Sequence, residues 1–61
     1  MAAEYRADEI GPDDQIIRRV DLICANDAVA KERAQQLVDR NPIELWRGER
    51  FLARFDPPSF H

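Results

Sequence analysis

Few side chains here have the type and spacing that chemistry needs. Cys24 is the only cysteine, and it stands just before Asn26-Asp27, a pair that reads as a helix start, where the partial positive charge of the helix end can activate a thiol. A thiol nucleophile also needs a base. The only histidine is His61, the last residue, and Cys24 alternates with Val20 and Leu22 on the apolar side of a strand pattern, so a buried, inert thiol is expected. Asp13-Asp14 and Asp8-Glu9 each offer two carboxylates, but neighbouring residues without further oxygen ligands do not make a calcium loop. Ser59 and His61 both fall in the last few residues, so no serine, histidine and aspartate set forms. The sequence assigns no catalytic, cofactor-binding or metal residue, and the chain reads as a non-enzyme.

The remaining cluster is basic and aromatic. Pro42 to Phe55, P-I-E-L-W-R-G-E-R-F-L-A-R-F, carries the only tryptophan, two of the three phenylalanines and three of the eight arginines. Trp46 with Arg47, Arg50 and Arg54 could stack bases and contact phosphates in a single-stranded nucleic acid. Glu44 and Glu49 dilute that charge, and cross-strand ion pairs account for the same pattern. The whole chain has 12 acidic and 9 basic residues and a formal net charge of −3, whereas nucleic-acid binders carry a basic stripe or a strongly basic domain. Weak nucleic-acid binding is therefore the alternative and not the first expectation. Eight arginines against one lysine match the codon bias of a GC-rich genome.

Sixty-one residues make one domain, which at this size buries only about 60% of the surface of its unfolded chain. A single cysteine excludes an internal disulfide, and no Cys/His cluster suits zinc. Oligomerisation or economical packing is left to compensate for a thin core. At 34% charged and 44% hydrophobic, the composition is that of a globular domain. No apolar run approaches the roughly 18 residues of a membrane span, and Met1 to Arg6 lacks a signal-peptide pattern. A cytoplasmic protein with no membrane contact is expected.

The elements follow from punctuation and period. Residues 3–10 alternate only in part, Tyr5 and Ala7 against Arg6 and Asp8, and read as a first strand. Gly11-Pro12-Asp13-Asp14 reverses the chain, and residues 16–25 form a second strand with Val20, Leu22 and Cys24 inward and Ile17, Arg19, Asp21 and Ile23 outward. Asn26-Asp27 caps a helix over residues 28–40, in which Ala30, Ala34, Leu37 and Val38 make one apolar stripe that Asn41-Pro42 ends. Two short strands around a Gly48-Glu49 type II′ turn complete the domain, pairing Leu45 with Leu52 and Trp46 with Phe51; a turn at Arg47-Gly48 would pair Ile43 with Leu52 instead. The fold class is α+β: four short strands in two hairpins (ββαββ) with one helix on one sheet face. Residues 1–56 form the domain and residues 57–61 a flexible tail.

Tyr5-Arg6, Asn26-Asp27 with Ala30 and Ala34, and the segment Glu44-Leu45-Trp46-Arg47-Gly48-Glu49-Arg50 together resemble a group of short, uncharacterised alphaproteobacterial proteins with an E-L-W-x-G-x-R hairpin. The resemblance spans about residues 4–55 and implies the ββαββ pattern; it brings no activity, cofactor or catalytic residue. Ala7 departs from it, where a larger apolar residue is expected.

One helix covers one face of a four-stranded sheet and leaves the other open. The open face should carry Trp46, Phe51, Ile17 and Ile23, rimmed by Arg19, Arg47 and Arg50, a composition typical of protein interfaces. The expected function is that of a protein-interaction module, a homodimer through this face, with Trp46, Phe51, Arg47 and Arg50 as its contact residues. Coverage of the face by a different protein, or by the tail around Phe60, is the competing outcome.

Overall fold

The computed structural model describes residues 1–58, so Ser59, Phe60 and His61, with the expected packing of the tail, lie outside the described residues. The chain runs β1 (Ala3–Ile10), β2 (Ile16–Cys24), α1 (Asp27–Gln36), β3 (Ile43–Arg47) and β4 (Arg50–Phe55). All four strands join one antiparallel sheet in the order β2-β1-β3-β4. The two hairpins therefore lie side by side through β1 and β3, and β2 and β4 are the edges. This is the α+β, ββαββ architecture read from the sequence.

The turn formers act locally. In the first turn the Asp14 amide donates to the Gly11 carbonyl at 3.0 Å and the Gly11 amide donates to the Gln15 carbonyl at 2.7 Å. Asp14 takes the left-handed conformation at φ 61°, one that Asp accepts more readily than most residues. In the second turn Gly48 has φ 61° and Glu49 does not share the positive φ, which is the sign pattern of type II′. Trp46 opposes Phe51 as expected. A bulge beyond that pair makes Leu45 oppose Ala53, so the expected Leu45–Leu52 pair is replaced and Leu52 is the extra residue.

Helix α1 begins as its cap dictates, with Asn26 Oδ1 accepting from the Val29 amide at 3.0 Å. It ends at Gln36, four residues before the expected Arg40. Tighter bonds from the Leu37 amide to the Ala34 carbonyl and from Val38 to Gln35 close it. Leu37 and Val38 still pack on the core from this turn.

Alternation sends Tyr5, Ala7, Leu45 and Ile43 to the helix side, where they join Cys24, Ala30 and Ala34 in one buried cluster. Ala7, Ala30, Ala34 and Leu45 have no exposed surface. Alanines from both layers let the helix lie close to the sheet, and Ala7, smaller than the resemblance implies, is part of that close approach. Cys24 is a free thiol inside this cluster.

Candidate interaction surface

Period two along β1 puts Glu4, Arg6 and Asp8 on the side away from the helix, and pairing extends the row. Asp21, Arg6, Trp46 and Phe51 stand opposite one another across β2, β1, β3 and β4. Trp46 and Phe51 meet edge to face with centroids 5.3 Å apart, a favoured aromatic geometry. The Arg6 guanidinium lies over the Trp46 ring at 5.5 Å. Phe51 is 48% exposed, while Trp46 is half-buried with its Nε1 buried and without a hydrogen-bond partner. Within the described residues no element covers this side.

The face is more charged than composition suggested. Ile23 belongs to β2 and Phe51 to β4, three strand spacings or about 14 Å apart, and the charged side of β1 runs between them. Asp8 is almost completely buried there although no helix covers it. Arg6 Nε lies 3.1 Å from its carboxylate and Arg19 Nε at 3.7 Å, so the long stems of the two arginines roof it over. Arg54 bonds Asp56 at 3.1 Å and reaches Glu44 at 3.4 Å. The open face is thus an aromatic pair inside a lattice of opposite charges. It is not the continuous apolar patch expected.

The four expected contact residues divide between the two faces. Trp46 and Phe51 are on the open side; Arg47 and Arg50, opposite each other at the turn, are on the helix side and do not rim the patch. Arg47 follows Leu45 in the alternation, and its guanidinium stacks over the Tyr5 ring at 5.7 Å and reaches Asp27 Oδ1 at 3.5 Å. Arg6 and Arg54 take the rim instead. Strict alternation from Trp46 was enough to place Arg47 on the far side. The role of Arg6 required the β1–β3 pairing, which no local pattern encodes.

On the helix side, Tyr5, Asn26, Asp27, Ala28 and Arg47 line a shallow hollow of about 590 Å³. The Tyr5 hydroxyl donates to Asp27 Oδ1 at 2.7 Å. That bond holds the Asp27 carboxyl below its ordinary pKa, with Arg47 adding to the effect, and it holds the Tyr5 phenol above its own, with burial second. The stabilisation from Asp27 is present above the unfolded carboxyl pKa near 4 and is lost as pH falls through the lowered folded value; that from Tyr5 is present below about pH 10 and is lost as pH rises beyond it. Tyr5→Phe is expected to reduce both losses. Urea midpoints measured from pH 2.5 to 11 check this, and profiles of identical shape for the two proteins would show that the bond does not form.

Comparison with known protein families, curated protein sequences and solved structures yields no match to this chain. The class is accordingly the one the geometry defines: a four-stranded antiparallel sheet with one helix on one face and an aromatic, charge-rimmed second face. Among the described residues no helix is long and apolar enough to cross a membrane.

Proposed function

We propose that this chain is a small cytoplasmic protein-interaction module that self-associates through the sheet face its helix leaves open. One observation carries the reading: Trp46 and Phe51 are packed edge to face on a side that no described element covers. A half-exposed aromatic pair ringed by charges matches the anchor and rim of a protein interface. The mixture of signs on that face, Arg6 and Arg54 with Asp21 and Glu44, suits a partner carrying the same mixture, which a second copy does. The reading gives no catalytic part to Cys24, which is closed inside the core.

Phe51→Ser is expected to leave the circular dichroism unchanged and to weaken self-association about tenfold, the scale of a buried aromatic contact. Sedimentation equilibrium of both proteins tests this. A monomeric parent chain at about 1 mM, or unaltered association by the variant, would overturn the proposal. The alternative, a weak single-stranded nucleic-acid binder using the same hairpin, loses force because Arg47 and Arg54 are already engaged with Asp27, Glu44 and Asp56. Salt-sensitive retention on heparin would revive it.

A further inference from the structure

Strand β2 is an edge, and its outer side is unpaired among the described residues. Its register with β1 shifts beside Ile17, after which the pairing runs without interruption from Arg18 to Cys24. Most of the strand is exposed, Ile23 by 68%. Proteins ordinarily blunt such an edge with charged side chains, proline or a bulge in mid-strand; Arg18 to Cys24 has no proline and no bulge, and its charges, Arg18, Arg19 and Asp21, are of both signs.

The residue order along this edge is self-complementary. When two copies of β2 run antiparallel about Val20, Val20 meets Val20, and Arg19 of each copy meets Asp21 of the other on the open side of the sheet. Arg18 then opposes Leu22 on the helix side. Asp21 makes no ion pair among the described residues, and Arg19 has only the 3.7 Å approach to Asp8. Centring the pairing one residue later sets Asp21 against Asp21, and like charges directly opposite are destabilising. The charges therefore favour one register.

We infer that a second copy of this chain docks on the outer edge of β2, antiparallel about Val20, and continues the sheet to eight strands. This goes beyond the open-face contact and rests on the reading of the chain as self-associating. The two-fold axis of such pairing is perpendicular to the sheet, so both open faces look the same way. Edge and face are then two different isologous contacts, and using both gives a tetramer of two stacked eight-stranded sheets.

The test uses charge exchange at the edge. Arg19→Glu puts Glu opposite Asp21 twice in a homomeric edge pair, and Asp21→Lys puts Lys opposite Arg19 twice; each is expected to weaken the edge contact about tenfold. Mixing the two variants in equal amounts forms one Glu–Lys pair and one native Asp–Arg pair, and should return association to that of the parent chain. By sedimentation, Phe51→Ser should retain the edge dimer, and in that background, where the face contact is already weakened, each charge exchange should lower association further and the mixture of the two should restore it. Should Arg19→Glu disturb folding through Asp8, Val20→Cys decides the matter in the native charge background, because facing Cα atoms at about 4.5–5.5 Å allow a disulfide under mild oxidation. Variants that associate as the parent does, a mixture without recovery, or no Val20→Cys cross-link would overturn the edge contact and leave the face contact standing. A monomeric parent chain at about 1 mM would remove both.

Discussion

Leu45→Ala is expected to remove most of the stability of the domain. Leu45 is on a central strand, has no exposed surface and faces the helix inside the single core cluster. Truncating a buried leucine costs about 2–5 kcal/mol, from lost transfer energy and the cavity left behind. A domain of this length has only about 3–9 kcal/mol in total at the usual stability per residue. Each kcal/mol moves the melting temperature of so small a domain by about 4–8 °C, so the transition should fall by at least about 8 °C, or vanish at ambient temperature. Thermal and urea unfolding followed by circular dichroism measure this. A loss below about 1 kcal/mol would mean that Leu45 does not hold the helix to the sheet.

Ala34→Leu is expected to act in the opposite sense of volume and the same sense of stability. Alanine and leucine have similar helix propensities, so the substitution leaves the helix's own preference almost unchanged. Ala34 is fully buried, and the added atoms have to displace the helix from the sheet, at about 1–3 kcal/mol for overpacking. Ala28→Leu, at an exposed position of the same helix, is the matched control and should change stability by less than about 0.5 kcal/mol. Equal urea midpoints for the two variants would show that the helix lies farther from the sheet than its alanines require.

These two outcomes probe what the sequence conveyed best. Gly11 to Asp14, Asn26-Asp27 and Asn41-Pro42 are strong punctuation, and the alternation, partial on β1 and clearer on β2, was enough to sort Tyr5, Ala7, Val20, Leu22 and Cys24 from their charged neighbours. What escaped was everything that depends on a contact between distant segments. Helical period cannot tell a fourth turn of α-helix from a tight closing turn that buries the same Leu37 and Val38. The extra residue at Leu52 alters cross-strand pairing without any glycine to announce it. Asp8 looks like a solvent-facing residue of an alternating strand, and its burial comes from Arg6 and Arg19, one of them supplied by the neighbouring strand. The division of Trp46 and Phe51 from Arg47 and Arg50 is different in kind, since alternation alone required it.

The bulge at Leu52 also bears on how far an assembly of this chain can grow. It divides the outer edge of β4, unpaired among the described residues, into pieces of two and three residues, too short to template another strand over any length, with arginines on both pieces. Once its uninterrupted β2 edge were taken up by the proposed pairing, the sheet would present only interrupted edges to a further copy. If two copies pair through β2 as inferred above, addition along the hydrogen-bonding direction would stop after one step, and the same irregularity that spoils the hairpin's pairing would keep the chain from polymerising into a fibre.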